Sequence, residues 1–464
     1  MESALGRFIE LRHIQLDESL GQCRPAIVDL GGGETGLLAV YSRNGNLDPW
    51  QEAYTFPKDT LKISMTDSGG GILWTRNLGA GTSPGIWFCP VLPFDINGDG
   101  VDEIFFVQNY NFHLPFSIKN TKLVCVDARR GTILGEWPWN YECGENHSHS
   151  YVFRNCLIGG SVRGEPVLVC TRGTYEDMYF EAYGRDMKPL WKKAILKEEP
   201  GCRASHQCLV VDINQDGVDE LMWGERCLSL EDGRELFCAD RDTWRHHSDL
   251  VLPVWDEGKK EWFLFTCREG DIDVGPRNCL YDSRGRRIWG HVDHGHMHVN
   301  WFARTPDYPR GLAYSLKIEY HETRAGVGGV LIEPEPHFFD MAGGKELGRL
   351  FDIDRVGYRS FEVAPVDVNG DGFHEFYRNG EILDSRFNLV AEIRGEATQL
   401  MAHISDEFQG EQIVTFTAEG ALGIWGDREA HDTAAARKRY ATDYYRKNRK
   451  NSAVGYNRMN LVGV

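Results

Sequence analysis

The chain has 464 residues, of which 41% are hydrophobic and 12% aromatic, and this composition excludes an intrinsically disordered protein. Its 51 basic and 69 acidic residues give a net charge of −18. That balance argues against a nucleic-acid partner, because binding the phosphate backbone requires a basic surface. A local group of Arg and His side chains can still bind an anionic ligand.

No stretch approaches the roughly 18 consecutive apolar residues of a membrane-spanning helix, so we expect no membrane partner. Residues 1–22 mix charged and apolar side chains and lack the apolar core of a signal peptide. We therefore expect a cytoplasmic protein, or a secreted one whose signal is already removed. The 12 cysteines are scattered without a CxxC pair, which favours reduced, buried thiols over a disulfide scaffold.

Short apolar runs rich in Val, Leu and aromatic residues recur along the chain, and this composition predicts β-strands. Examples are residues 103–107, 123–126, 166–170 and 261–265. Between such runs, turns that begin with an acidic residue and contain Gly lead to an aromatic residue, a pattern typical of the outer hairpin of a propeller blade. These turns lie in the segments 127–137, 231–237 and 282–289. The best helical pattern covers residues 429–445.

Three segments share an Asp-x-Asn-x-Asp-Gly pattern, at residues 95–103, 212–220 and 367–375. They begin 117 and 155 residues apart, and these intervals suit blades of about 58 to 66 residues in a ring. We predict an all-β chain that forms a single β-propeller domain over residues 1–464, with seven blades and with eight as the alternative. The competing interpretation is a β-sandwich followed by a second β domain.

The repeated pattern also predicts metal sites. Carboxylate and amide oxygens at alternate positions converge when the chain coils tightly, and Ca²⁺ prefers such oxygen ligands. The loops are not EF-hands, because the twelfth position holds Phe106, Trp223 or Arg378 instead of Glu. We expect at least one loop, but not all three, to bind Ca²⁺ in a structural role; the alternative is a metal-free loop whose side chains cap its own backbone. The candidate ligands are Asp95, Asn97, Asp99, Asp212, Asn214, Asp216, Asp367, Asn369 and Asp371.

Histidines concentrate in residues 146–151, 203–206, 245–249 and 291–298. One hypothesis is a structural Zn²⁺ site, since Zn²⁺ accepts nitrogen and sulfur ligands. Its candidate ligands are His206, His247, Cys267 and either His296 or His298. A second hypothesis is acid–base chemistry by histidines together with Tyr and Arg. The alternative to both is a set of solvated loop histidines and a buried cysteine.

The three Asp-rich loops resemble those of β-propeller polysaccharide lyases, namely the ulvan, rhamnogalacturonan and L-rhamnose–D-glucuronate lyases. Residues 245–249 and 294–299 are also similar to segments of these lyases. Residues 451–457 are similar to their closing segment, so we expect residues 428–464 to form a C-terminal closing segment. The resemblance implies a lyase that cleaves the bond at C4 of a uronic acid by β-elimination. Its substrate would be an acidic poly- or oligosaccharide, a rhamnose–uronate glycan.

The same resemblance implies residues for the steps of this reaction. Arg203, with His113 or His149, would hold the uronate carboxylate, a role that suits the guanidinium fork. His149 or His147 would transfer a proton, a contribution of typically ~10²–10⁴-fold.

A catalytic tyrosine is also implied, in the segment between residues 147–149 and residue 203. Tyr175 is the first choice there and Tyr179 the second, with Tyr183 as a further candidate. The relatives have a zinc site near the catalytic face, which supports the zinc ligands named above. This chain differs from those relatives by the additional histidines His246 and His296, which leaves open which residues are the zinc ligands.

Two other functions are compatible with the sequence, because a fold does not imply a function. One is a non-catalytic propeller that binds carbohydrate or another protein. The other is a metal-dependent hydrolase that uses the His-rich segments.

Overall fold

The computed structural model describes residues 7–49, 57–114, 117, 119–139, 152–269, 275–293, 295–318, 320–321, 330–331, 334–350, 363–455, 461 and 463–464. Within these residues the chain forms eight sheets, which are the blades of a β-propeller. Each blade has four antiparallel strands; in the fifth blade a short additional strand pairs in parallel with the first, and one two-stranded hairpin lies outside the blades. The first strands of most neighbouring blades contact one another.

The strands of the first four blades follow chain order from the centre outward, except that β1 (Phe8–Gln15) belongs to the last blade. Blade 1 contains β2 (Gln22–Gly31), β3 (Glu34–Ser42), β4 (Lys62–Thr66) and β5 (Ile72–Asn77). Blade 2 contains β6 (Val91–Phe94), β7 (Glu103–Asn109), β8 (Thr121–Asp127) and β9 (Ile133–Pro138). Blade 3 contains β10 (Asn155–Val162), β11 (Glu165–Arg172), β12 (Met178–Gly184) and β13 (Lys188–Ile195). The short β14 (Ser205–Gln207) leads into blade 4, which contains β15 (Val210–Val211), β16 (Glu220–Trp223), β17 (Arg226–Ser229) and β18 (Glu235–Cys238).

The remaining blades repeat this plan. Blade 5 contains β19 (Ser248–Asp256), β20 (Glu261–Arg268), β21 (Asn278–Asp282) and β22 (Arg287–His291). Blade 6 contains β23 (His296–Ala303), β24 (Leu312–Ile318), β27 (Glu335–Asp340) and β28 (Lys345–Leu347), with the hairpin β25 (Tyr320–His321) and β26 (Val330–Leu331) inserted after β24. Blade 7 contains β29 (Val363–Val366), β30 (Glu375–Arg378), β31 (Glu381–Leu383) and β32 (Leu389–Glu392). Blade 8 contains β33 (Glu396–Ala402), β34 (Gln412–Phe416), β35 (Ala421–Asp427) and β1.

The propeller fold is thus confirmed, with eight blades; the expectation of seven is wrong and the alternative of eight is right. The three Asp-rich loops lie in blades 2, 4 and 7, so the intervals of 117 and 155 residues correspond to two and three blades. The blades differ in length because of their loops and insertions, so the spacing of the repeated segments does not give the number of blades.

The N-terminal strand closes the ring. β1 pairs antiparallel with β35, with Phe8 opposite Asp427 and Gln15 opposite Ala421. Arg7 extends this closure through a hydrogen bond of 2.7 Å from Nε to Asp427 Oδ2. Blade 8 therefore joins the two ends of the propeller sequence in one sheet.

Burial explains the composition of the strands. Every residue of β7 (EIFFVQN) is buried, because the second strand of a blade is covered by neighbouring blades on both faces. In β9 (ILGEWP) the residues are exposed or partly buried, since the fourth strand lies at the rim. Apolar runs therefore mark inner strands.

An aromatic side chain on the outer strand of one blade packs over the hairpin of the next. Trp74 donates a hydrogen bond of 2.7 Å from Nε1 to the Ala128 carbonyl. Gly131 lies beneath its ring with φ of 65°, and a Cβ at Gly131 would lie 2.6 Å from Trp74 Cδ2. This contact explains the turn glycines that precede the aromatic residues. The same packing occurs between Trp191 and Gly233, Phe237 and Gly285, and Trp289 and Gly344.

The C-terminal segment packs against the first strands. It contains α1 (Ala434–Tyr440), α2 (Asp443–Asn448) and a 3₁₀ turn (Asn451–Ala453); another 3₁₀ turn is Arg185–Met187. The Asn448 side chain pairs with the backbone N–H and C=O of Val210, and the Ser452 hydroxyl donates to the Pro25 carbonyl at 2.6 Å. The segment thereby contacts blades 1, 2, 4 and 8. No helix among the described residues is long and apolar enough to span a membrane.

Candidate functional site

The topology of the blades separates two sets of loops. In each blade the first and second strands are antiparallel. The loop that joins them therefore lies on one face of the propeller, whereas the start of the first strand and the end of the second strand lie on the opposite face. Each Asp-rich loop joins a first strand to a second strand. The His-rich segments that the structure describes precede or begin first strands. The Asp-rich loops and these histidines therefore lie on opposite faces of the propeller.

A buried carboxylate, Glu269, lies at the centre of a histidine cluster. Glu269 follows β20 and is only 3% exposed. Its Oε2 lies 2.5 Å from His247 Nε2 and 3.7 Å from His296 Nε2. Its Oε1 lies 2.8 Å from His298 Nδ1 and 3.5 Å from His206 Nδ1. Residues from blades 4, 5 and 6 thus meet at one carboxyl group.

The electrostatics of this cluster follow from burial and from mutual pairing. Burial alone would raise the pKa of the Glu269 carboxyl, but His206, His298 and His247 outweigh burial and hold this pKa well below its usual range. Burial alone would lower the pKa of His298, but Glu269 and Asp249 raise it well above its usual value. At His247 burial dominates and lowers the pKa. Glu269 and His298 therefore form a charged pair, while His247 favours its neutral form.

Tyr175, His206 and Asp249 form a chain of hydrogen bonds beside the cluster. The Tyr175 hydroxyl lies 3.1 Å from His206 Nε2, and Asp249 Oδ1 lies 3.2 Å from His206 Nδ1. In the tautomer whose proton lies on Nδ1, facing the carboxylates, Nδ1 donates and Nε2 accepts from the Tyr175 hydroxyl. Asp249 is held in place by a hydrogen bond of 2.8 Å from the Val299 N–H. This arrangement places a base against a half-buried phenol, in the manner of a catalytic triad.

The guanidinium of Arg154 lies between two aromatic rings at the same face. It is 4.9 Å from the centre of the Trp87 ring and 4.5 Å from that of Tyr175. Its side chain is 3% exposed, and Nη2 donates to Asp48 Oδ1 at 3.1 Å. Among the described residues, its Nε and Nη1 have no hydrogen-bond partner. Buried donors of this kind are costly to leave unpaired, and a guanidinium suits a carboxylate ligand.

Arg203, expected to hold the substrate carboxylate, has a different environment. Its guanidinium donates to the backbone carbonyls of Lys197, of Leu196 at 3.4 Å and of Glu199 at 3.1 Å. Burial lowers its pKa from the usual value. In this structure Arg203 therefore stabilises the loop before β14. Sequence reasoning missed Arg154, whose signal is its position beside the His-rich segment 146–151.

The other candidates for proton transfer are dispersed. Tyr179 donates to Asp177 at 3.4 Å and lies under the guanidinium of Arg172. Tyr183 donates to Glu181 at 2.8 Å, and burial raises its pKa. His113 is exposed in the loop between β7 and β8. His147 and His149 lie outside the described residues. Of the three tyrosines, Tyr175 is the one that contacts the histidine cluster, and its catalytic role stays a prediction.

Two groups of ligand atoms in the described part of the chain could hold a metal ion, each group lying within 4.8 Å. One comprises His206, His247 and Glu269, and the other comprises Glu269, His296 and His298. The expected ligand Cys267 belongs to neither, and burial raises its thiol pKa well above the usual value. Sequence reasoning missed Glu269, which is two positions after Cys267 along the chain.

The Asp-rich loops are capped by their own side chains. Asp95 accepts from Gly98 N–H at 2.6 Å and from Gly100 N–H at 2.8 Å, and Asp212 accepts from Gly217 N–H at 2.9 Å. Asn97, Asp99, Asn214, Asp216, Asn369 and Asp371 also accept backbone N–H groups within their loops. In the third loop Asp367 also pairs with Arg439 Nη2 at 2.5 Å. The third loop therefore already has a cationic partner for its first carboxylate.

No protein-family model matches this chain, and no curated protein matches it. Among solved structures, the rhamnogalacturonan lyase PL11 of Bacillus licheniformis is 19% identical with a TM-score of 0.75, covering 97% of this chain and 81% of that chain. The rhamnogalacturonan lyase YesW is 17% identical with a TM-score of 0.72, covering 96% of this chain and 80% of that chain. The exotype rhamnogalacturonan lyase YesX is 17% identical with a TM-score of 0.71, covering 97% of this chain and 81% of that chain. At these sequence identities the similarity shows that the propeller fold is shared. The resemblance to propeller lyases is therefore confirmed for the fold.

Proposed function

We propose that this protein is a polysaccharide lyase that cleaves the bond at C4 of a uronic acid by β-elimination, in a rhamnose–uronate glycan. The observation that carries the proposal is the contact of Arg154 with Tyr175, whose hydroxyl is hydrogen-bonded to His206. A carboxylate-binding group, a proton-transfer group and a base thus lie side by side. The shared fold with rhamnogalacturonan lyases supports the choice of reaction.

The reaction requires three actions. Arg154 binds the uronate carboxylate through its guanidinium, whose Nε and Nη1 are the donors left for a ligand, and stabilises the negative charge that develops when the C5 proton leaves. Tyr175 passes its hydroxyl proton to His206 Nε2, and the resulting phenolate removes the C5 proton. The electron pair of the C5–H bond forms the double bond between C4 and C5. The bond from C4 to the leaving oxygen breaks, and this oxygen takes a proton from the phenol or from water. The products are an unsaturated uronate and a new hydroxyl end.

The donor set around Glu269 fits Zn²⁺, which accepts imidazole nitrogen and carboxylate oxygen. We propose His247, Glu269, His296 and His298 as its ligands, with Glu269 in the position that the sequence suggested for Cys267. His206, which accepts the Tyr175 proton in the lyase, would be a ligand only in the hydrolase described below. Bound there, Zn²⁺ would supply positive charge and connect blades 4, 5 and 6. The residues that handle the substrate in this proposal are Arg154 and Tyr175.

Ca²⁺ remains our proposal for the Asp-rich loops of blades 2 and 4. In both loops three oxygen-bearing side chains follow one another at alternate positions, as Ca²⁺ binding requires. The loop of blade 7 is the weaker candidate, because Arg439 already neutralises Asp367. We propose a structural role, since these loops lie on the face opposite Tyr175.

A metal-dependent hydrolase is the second candidate function. The group formed by His206, His247 and Glu269 has the two-histidine, one-glutamate composition of several catalytic zinc sites. A hydrolase would cleave the same glycan by adding water and would leave no double bond.

One experiment separates these functions. The purified protein is incubated with ulvan, rhamnogalacturonan and rhamnose–glucuronate-capped arabinogalactan, and both ultraviolet absorbance of unsaturated uronate and new reducing ends are followed. The lyase proposal predicts that both signals rise together on at least one glycan. Reducing ends without absorbance would overturn it in favour of the hydrolase. If neither signal appears while calorimetry shows binding, the protein is a carbohydrate-binding propeller.

A further inference from the structure

A cysteine of blade 4 contacts a cysteine of the segment that precedes this blade. Cys202 and Cys238 have their sulfur atoms 3.9 Å apart, although 36 positions separate them in the chain. Cys202 is fully buried in the segment that leads to β14, and Cys238 is the partly exposed last residue of β18. Cys238 is therefore the more exposed residue of the pair, and Cys202 is the buried one.

A guanidinium adjoins this pair. Arg226 of β17 lies opposite Cys238 in the strand register, and its Nε donates to the Cys202 carbonyl at 2.9 Å. The contact with Cys202 and the charge of Arg226 lower the pKa of Cys238, against the opposite effect of burial. A thiolate next to a cation is the reactive form of cysteine. Cys202 is different, because burial raises its thiol pKa well above the usual value.

We propose that Cys202 and Cys238 form a redox-active pair that a small-molecule disulfide oxidises to an internal disulfide bond. The pair needs only a short movement, because the sulfurs are 3.9 Å apart and a disulfide has a bond of about 2.05 Å. The oxidant is a low-molecular-weight disulfide such as oxidised glutathione.

The exchange balances in two steps. The Cys238 thiolate attacks one sulfur of the small disulfide, forming a mixed disulfide and releasing one small thiolate, which takes up a proton. Cys202 then loses its proton to the solvent and attacks the Cys238 sulfur, which releases the second small thiolate. Two protein thiols are oxidised and one small disulfide is reduced to two thiols.

The new bond would act on the candidate site through the backbone. Cys202 is followed at once by Arg203, and His206 comes four residues after it. Ala204 N–H donates to the Thr174 carbonyl at 3.2 Å, which connects this segment to the residue before Tyr175. A covalent link from Cys202 to β18 therefore restrains the segment 200–206, which carries a residue of the hydrogen-bond chain.

The test treats the native, full-length protein with oxidised glutathione, digests it without reduction and maps its disulfides by mass spectrometry. We expect the peptides that contain Cys202 and Cys238 to be joined, with a loss of about 2 Da in the intact mass. Hydrogen–deuterium exchange in the segment 200–207 should slow at least several-fold. A different linkage, such as one between the buried Cys156 and Cys208, would overturn the proposal.

Two variants and one control complete the test. Cys238→Ala should abolish both the mass loss and the change in hydrogen exchange, and Cys202→Ala should instead trap a stable mixed disulfide on Cys238. Cys125→Ala, at a buried cysteine of β8, should behave like the native protein. If the Cys238→Ala protein still lost about 2 Da under the same treatment, a different pair of cysteines would be forming the disulfide, and the assignment would be overturned. Unchanged exchange in the oxidised native protein would overturn its effect on the site. None of these readouts depends on the proposed lyase activity.

Discussion

The hydroxyl of Tyr175 lies 3.1 Å from Nε2 of His206, and the two residues come from different blades. Tyr175 follows the second strand of blade 3, and His206 lies in the short strand that leads into blade 4. The chain separates them by 31 positions, but the propeller brings these ends to one face. This contact, together with the Arg154 guanidinium stacked on the Tyr175 ring, is the basis of the functional proposal.

Removing the Tyr175 hydroxyl should abolish proton transfer and preserve the fold. We expect Tyr175→Phe to lower kcat on the substrate by ~10²–10⁴-fold, the usual contribution of a general acid or base. The measurement is the rate of absorbance increase from unsaturated product. Tyr179→Phe is the matched control, since Tyr179 bonds to Asp177 instead; it should keep activity within a few-fold. Full activity of Tyr175→Phe would remove this residue from the mechanism.

Arg154 and Arg203 should behave differently when each is changed to Lys. Arg154→Lys keeps the charge but loses the fork, and it should lower kcat/KM by about 10- to 100-fold, because charge-assisted hydrogen bonds contribute about 1.5–3 kcal/mol each. Arg203→Lys loses donors to three backbone carbonyls. It should lower the Tm while kcat/KM, measured well below that Tm, stays near the native value. The opposite pattern would return the carboxylate-binding role to Arg203.

Glu269 should be required for metal binding, and Cys267 should not. Glu269 belongs to both ligand groups, so Glu269→Gln should lower the zinc content of the purified protein from about one equivalent to near zero. Cys267→Ala should retain zinc, because its sulfur belongs to neither group. Elemental analysis of dialysed protein gives both values. Zinc lost from Cys267→Ala but kept in Glu269→Gln would support the ligand set that the sequence suggested.

Acid should destabilise the native protein partly through His403. Its ring stacks on Tyr440 at 4.2 Å, and burial lowers its pKa; the charge of Arg449 adds to this effect, and the carboxylates of Asp432 and Asp406 oppose it. Below the unfolded-state pKa of about 6.5 the unfolded chain takes up a proton that the folded chain does not. Stability therefore falls as pH decreases below 6.5, by at most about 1.4 kcal/mol per pH unit from this group.

The check is urea unfolding of native protein and His403→Gln between pH 5 and 8. The variant should show a smaller loss of stability on acidification, and the two proteins should differ by a constant amount above pH 7. His13→Gln is the matched control, because His13 is exposed. Parallel curves for native and His403→Gln protein over the whole range would contradict the prediction.

Local patterns were sufficient to predict the strands, the hairpins and the Asp-rich loops. Short apolar runs, turn glycines and the Asp-x-Asn-x-Asp-Gly spacing each depend on residues that are close in the chain. The resemblance to propeller lyases followed from the same short segments. The number of blades did not follow, because blade 6 contains an inserted hairpin and blade 8 takes its last strand from the N-terminus.

The sequence by itself determined an acidic, all-β propeller with histidines gathered in a few segments. Only the tertiary structure decided which side chains meet. It placed Glu269 rather than Cys267 among the histidines, and it directed Arg203 to backbone carbonyls and Arg154 to Tyr175. The physical reason is that each of these contacts joins different blades or loops. Which side chains meet there depends on the angle between neighbouring blades and on the burial of charge, and neither is encoded in local spacing.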